Sequence, residues 1–429
     1  MARPAALLVP LLLAATVAAS LVAWREHEQL AAQAPFVRKA VLLASENDSL
    51  RDALAAAQRK VDDARDLPRR SQIERDVASI RGLGFSQPVV YEALDRAGIR
   101  QVVSTKLAEQ YSDQDIRDMA TGYAAFGLLP PNFPLKQTYV DLLGEQIAAF
   151  YDQHQHKLFM FRGASLENAQ NRVILAHELT HALQDQNFGL LKLPIEIRNN
   201  DDRALAASAL IEGDATLVMT EYMAKDLTWR SLADTVGYSV TQSMEQILKA
   251  PRYLREMLVF PYIKGQQFCA AVFARGGYAA LSMVYANPPS STAQILHPEK
   301  YFPETREDPV AVNFPDTSFR GARPLADNVL GEMGCQLLFA RSDPDSAERI
   351  AAGWRGDRYL VFDQGNTLVW RTIWNSAKAA SDAASAFKTS GDHTTVHISP
   401  TEVLFIVAKD RETANILAGQ FAGAASISR

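Results

Sequence analysis

Residues 177 to 181 read His-Glu-Leu-Thr-His: two imidazoles four positions apart, with a carboxylate directly after the first. On a helix, positions i and i+4 share one face, so His177 and His181 can offer two nitrogens to one metal ion. Glu178 is rotated from that pair by one position and can reach a water polarised by the metal, the arrangement that serves hydrolysis in zinc enzymes. The run from Asn171 to Gln186 supports the helix. It lacks Gly and Pro and places Ile174, Leu175, Leu179, Ala182 and Leu183 at helical spacing, with Asn187 and Gly189 as a stop.

A catalytic zinc site takes three protein ligands and leaves one position open, so a third donor must come from elsewhere. The helical stretch from Ala206 to Met219 carries Glu212, 212 − 181 = 31 residues after His181. That interval lets one helix end, a loop turn and a second helix return alongside. Asp214 shares the stretch but sits about 200° around the helix from Glu212, so the two cannot face one ion. Asp185, four residues after His181, is a candidate to orient a ligand imidazole. Ahead of the metal helix, Glu145–Tyr151 and Lys157–Phe161 are short β-prone runs joined by a polar stretch, which predicts a hairpin with His154 and His156 in its loop.

The start of the chain bears on the compartment. Ala5 to Trp24 carries no charge and, at about 20 residues, is long enough to span a bilayer. The expectation is a membrane anchor over 1–24 with the body outside the cytoplasm, periplasmic or extracellular. Small residues at Thr16, Ala18 and Ala19 keep a cleaved signal peptide, and so a secreted protein, as the alternative. Residues 25–68 read as a helical stalk, with Phe36, Ala40, Leu43, Asn47, Leu50, Leu54, Ala57, Val61 and Ala64 on a heptad seam. Three Ala make the seam weak, so a homodimer through the stalk and a solvated single helix are both open.

The body divides into an expected catalytic domain over 70–305 and a C-terminal α+β region over 306–429. Helices are predicted at Ile73–Ile80, Val89–Asp95, Val102–Tyr111, Asp113–Phe126, Leu205–Met223, Val236–Leu248 and Gly265–Phe273. The C-terminal region reads helix 328–339, helix 346–354, strands 358–362 and 367–374, helix 377–387, strand 402–407 and helix 412–421. The class is α+β and helix-rich. The hairpin-then-helix order of 358–387 echoes that of 147–186 without any metal motif. A net charge of −5 and a pI near 6.0 give no support to nucleic-acid binding. Cys269 and Cys335 are the only cysteines, enough for one disulfide or two buried thiols and too few for an all-thiolate zinc site.

Glu212-Gly213-Asp214-Ala215 is similar to the Glu-Gly-x-Ala segment that carries the zinc-binding Glu in the aminopeptidase branch of the gluzincins, metallopeptidases with two His and one Glu around zinc. That similarity favours Glu212 over Asp214 as third ligand. The thermolysin branch has an Asp four residues after its ligand Glu, and this chain departs from it with Thr216. From about Arg75 to Phe421 the chain resembles a family of uncharacterised bacterial and archaeal metallopeptidases. The pieces that match are Ala149–Asp152, Ala176–Gln186, Ile211–Asp214, Ser291–Tyr301 and Gly353–Tyr359. The resemblance implies a zincin-like (gluzincin) domain, its active-site helix beside a small sheet whose edge strand pairs with the substrate backbone. It further implies Zn2+ on His177, His181 and Glu212, Glu178 as general base, and a protein or peptide substrate. His297 or Tyr301 would stabilise the oxyanion, against the plainer role of a His in a loop turn. Arg358 could bind a substrate carboxylate or pair with an acid. A catalytically inactive envelope scaffold and a zinc hydrolase of a cell-wall amide are the alternatives to a peptidase.

Overall fold

The computed structural model describes residues 39, 42–51, 53–54, 57 and 65–423, except 147–148, 227–249, 315, 363–366 and 389–392. Two compact units are present, Met1–Arg69 and Arg70–Arg429. In the first, residues 42–51 are helical, and Leu43, Leu50 and Leu54 of the expected seam are exposed.

The second unit opens with a helix over 70–81 (α1), then β1 (Val90–Leu94), α2 (Arg96–Gln110), α3 (Asp113–Ala125), α4 (Leu135–Gln146), β2 (Ala149–Asp152) and β3 (Lys157–Phe161). The expected hairpin is β2–β3, paired antiparallel from Ala149↔Met160 to Asp152↔Lys157, but its first strand starts at Ala149, because Glu145 and Gln146, expected in the strand, end α4. Val89–Asp95, expected to be helical, is instead a strand that pairs parallel with β3 from Val90↔Lys157 to Leu94↔Phe161. The reason is local. Pro88 biases the chain to extended backbone, Val90 and Tyr91 suit a strand, and Asp95 caps the next helix by accepting from Gly98 N. The sheet order β1-β3-β2 leaves β2 at an edge.

Next come α5 (Ala169–Phe188), α6 (Asp201–Asp226), α7 (Arg252–Val284) and α8 (Thr292–Leu296). The Asn168 side chain caps α5 at Gln170 N, and Gly189, at φ 72°, ends it in the left-handed conformation that glycine adopts without strain. Leu175, Ala176, Leu179 and Ala182 of α5 pack against Tyr151, Leu158 and Met160 of the hairpin and against Ile73 and Val77 of α1. Helices α6 and α7 cross at backbone contact: a Cβ on Gly213 would stand 2.2 Å from the Gly265 carbonyl carbon, and one on Gly265 would stand 2.1 Å from Ala209 O. The expected helix Val236–Leu248 lies outside the described residues.

The rest is β4 (Ala326–Asn328), α9 (Gly331–Phe339), α10 (Ala347–Ala351), β5 (Trp354–Phe362), β6 (Thr367–Trp374), α11 (Ala377–Ala386), β7 (His393–Ser399), β8 (Glu402–Val407) and α12 (Arg411–Gly423). Its sheet is antiparallel in the order β4-β5-β6-β8-β7. Alternation divides the side chains: Tyr359, Val361, Trp370 and Phe405 face the main core with Phe126 and Phe339, while Leu360, Phe362, Val369 and Ile406 pack with Leu417 and Phe421 of α12. That main core includes residues on both sides of position 305. Cys269 and Cys335 are buried free thiols.

The α+β class stands, with two sheets, but the expected N-terminal membrane helix is corrected. Among the described residues no helix is long and apolar enough to cross a membrane. The longest two, α6 and α7, are interrupted by charge: Glu212, Asp214 and Glu221 in one, Arg255, Glu256, Lys264 and Arg275 in the other. The stretch 5–24 lies outside the described residues.

Candidate metal centre and active site

Helix α5 presents His177 and His181 on one face, and α6, packed beside it, brings Glu212 to them. The donor atoms of these three residues all lie within 4.8 Å of one another. His177 Nε2 is 3.0 Å from Glu212 Oε2 and 3.1 Å from His181 Nε2, and His181 Nε2 is 3.4 Å from Glu212 Oε2. Ligands about 2.0 to 2.1 Å from a tetrahedral zinc stand roughly 3.4 Å apart, so the spacing fits that ion.

The donor chemistry fits as well. Gln184 Nε2 donates to Ile211 O and to Asp214 Oδ2, both acceptors, so its Oε1 must accept from His181 Nδ1 at 2.9 Å. That assigns the His181 proton to Nδ1 and leaves Nε2 as a lone pair aimed at the other donors. Gln184 is itself fixed by Asp214, which is fully buried, paired with the equally buried Arg81 of α1 at 2.9 Å, and accepts from Tyr285 Oη at 2.8 Å. Asp214 therefore stands one step behind His181, on the side of α6 away from Glu212. Asp185, the candidate to orient a ligand histidine, instead fixes the hairpin: its carboxylate accepts from Tyr151 Oη at 2.8 Å, Leu190 N at 3.0 Å and His156 Nδ1 at 2.7 Å.

Glu178 lies against the edge strand, where its Oε2 accepts from Tyr151 N at 2.8 Å. Burial raises its carboxyl above the usual range, the adjacent His181 and His177 opposing and Glu212 adding. With protein groups alone, burial works against His181 carrying charge, yet the Glu212 carboxylate holds its pKa up at about 9. Glu212 is driven the other way: burial opposes its charge, but the His181 and His177 rings hold its carboxylate ionised far below the usual range. Such mutual charge stabilisation is what a divalent cation would take over from protons.

A cleft of about 380 Å³ opens over these groups, lined among others by Phe150 and Tyr151 of the edge strand, Leu190, Ile195, Glu196 and Tyr262. Tyr262 was not foreseen from the sequence. Its ring lies 6.0 Å from that of His177 and is 44% exposed, and the negative charge of Glu212, which its hydroxyl faces, raises its pKa well above the ordinary value. It sits one turn before Gly265, so the close α6–α7 crossing sets it opposite Glu212. Small residues Gly213 and Gly265 on two apolar helices were the available signal. His297 does not join the group. It is not among the residues lining the cleft, and its Nε2 bonds the buried Glu332 at 2.7 Å. Tyr301 donates to Asn287 O at 2.8 Å, and Arg358 makes a two-pronged pair with Asp327 at 2.7 Å. His154 bonds Glu196.

A family model described as a domain of unknown function (DUF8575) matches residues 320–429, the part that holds the five-stranded sheet. No curated protein matches the chain. Among solved structures, the chain is similar to one described as "a putative hydrolase with a novel fold" from Chloroflexus aurantiacus. The two are 21% identical, over 54% of this chain and 86% of that one, with a TM-score of 0.35.

Proposed function

We propose that the protein is a zinc-dependent peptidase acting through His177, Glu178, His181 and Glu212. The observation that carries this reading is the convergence of three ligand atoms within 4.8 Å beside the half-buried Glu178 carboxylate, at the floor of a cleft walled by a sheet edge. Zinc held by His177, His181 and Glu212 would supply a Lewis acid that polarises a carbonyl and lowers the pKa of water to about 7.

The chain's own groups do the rest. Tyr151 N holds one oxygen of Glu178, leaving the other to take a proton from the attacking water. As the carbon–nitrogen bond breaks, Glu178 returns that proton to the departing amine, so acid, amine and a restored Glu178 leave the cycle balanced. Tyr262 can turn its hydroxyl from Glu212 to the oxygen on which negative charge develops. The edge strand β2 offers backbone groups to an extended peptide.

Glu178→Gln keeps size and hydrogen bonding but cannot accept the proton, so it is expected to retain zinc and lose about 1,000-fold or more in peptide hydrolysis. In the same assay Tyr262→Phe is expected to lose about 100-fold with zinc unchanged. Parent-level hydrolysis by Glu178→Gln, with zinc retained, would rule the mechanism out.

A further inference from the structure

One end of the cleft carries chemistry that bond hydrolysis does not use. There the short 3-10 turn Pro194–Glu196, which follows the metal helix, meets the β2–β3 turn, with His154 Nε2 2.6 Å from Glu196 Oε1. Among the described residues lining the cleft there is no Lys or Arg, and the carboxylates are those of Glu178, Glu196 and Glu212. Glu212 is assigned to the metal and Glu178 to proton transfer. Glu196 is left over, its side chain 38% exposed. Leu190 and Ile195 line the cleft on the same turn region, giving an aliphatic wall that leads to a carboxylate.

A long side chain with an apolar stem and a charged head matches that wall. Lysine and arginine have this shape, and an acidic side chain in the same place would meet Glu196 as a like charge. The present partner of Glu196 is replaceable, because His154 rides on a hairpin turn with 47% of its side chain exposed. Resting on the peptidase reading above, we propose that this end of the cleft is a substrate subsite for a lysine or arginine side chain. Leu190 and Ile195 cover the stem, and Glu196 takes the cationic head in place of His154. The substrate class is a basic peptide.

The test uses the zinc-loaded full chain and internally quenched peptides that differ at one residue, with lysine, methionine or glutamate placed in turn at three positions on each side of the cleaved bond. At one position the parent is expected to favour lysine about fivefold over methionine and about 50-fold over glutamate in kcat/KM. Glu196→Gln is expected to bring the lysine-to-methionine ratio near one, and Glu196→Lys to reverse the order of lysine and glutamate. Equal rates for the three peptides at every position, or a lysine preference that persists in both variants, would overturn the subsite. Cleavage of none of the peptides would count against the peptidase reading instead. The subsite is then judged by fluorescence anisotropy of the same peptides on Glu178→Gln, where equal affinity for lysine and glutamate peptides overturns it and a Glu196-dependent lysine preference upholds it.

Discussion

Two stretches of this chain share one order of elements, a β-hairpin followed by a helix, and they are put to opposite uses. In β2–β3–α5 the strands are short, β2 lies at a sheet edge, and the helix buries His177, His181, Gln184 and Asp185. In β5–β6–α11 the strands are long, both are interior to the five-stranded sheet, and the helix is Ala-rich, burying Ala380 and Ala383. The second hairpin also buries a carboxylate, Asp357, but it accepts from Leu330 N, Gly331 N, Trp354 Nε1 and Trp370 Nε1. Its acceptor capacity is used up. In the first hairpin and its helix capacity is left over: the His181 Nε2 lone pair, aimed at His177 and Glu212, and a Glu178 oxygen beyond the one Tyr151 N holds. A buried polar group with every partner in place is structure; one with a vacant valence at a cleft is chemistry.

The comparison breaks most visibly at Asp357. Asp357→Ala strands four buried donors and is expected to cost about 5 kcal/mol in chemical denaturation, while zinc affinity measured below the unfolding transition stays at the parent value. A large loss of zinc affinity in the folded variant would mean the two regions are not separable. The next effect concerns Asp202, buried near Asp357 and Glu332. Burial lifts its pKa to about 7, with the charges of Asp357 and Glu332 adding and hydrogen bonds from Thr292 opposing. The folded state therefore holds its proton more tightly than the unfolded chain does. The stability this supplies is complete below about pH 4 and is lost as pH rises to about 7, a drop of about 4 kcal/mol. Asp202→Asn should flatten that part of the stability profile; an unchanged slope would remove Asp202 as its source.

Parts of this contrast are legible in the residues themselves. Helix α5 announces itself through an uninterrupted apolar spacing and a Gly stop, and Glu212 through being a lone Glu in an apolar helical stretch. These signals are local. The strand at Val90–Leu94 was misread because a short apolar run fits either period, and only pairing with β3 decides it. Strand β7, His393–Ser399, has too little apolar alternation to stand out, and its exposure at the sheet edge explains why it needs none. Tyr262 and Gln184 stayed hidden for another reason. The first depends on a helix crossing set by Gly213 and Gly265, and the second on a buried chain reaching back to Arg81, 133 positions before Asp214.

That chain gives the smallest effect and the finest sharpening of the comparison. Gln184→Met removes the acceptor at His181 Nδ1 while preserving length, and is expected to weaken zinc binding about 10- to 100-fold in a competition titration with a chelator. Unchanged affinity would show that packing alone orients His181.

The central claim is that His177, His181 and Glu212 hold one metal ion. Elemental analysis of the purified, dialysed protein tests it most directly, on the parent, on Glu212→Gln and on the double variant His177→Ala/His181→Ala. The expected result is about one zinc per parent chain, weakened retention in Glu212→Gln and none in the double variant. Stoichiometric zinc in the double variant, or none in a folded parent supplied with zinc, would contradict it.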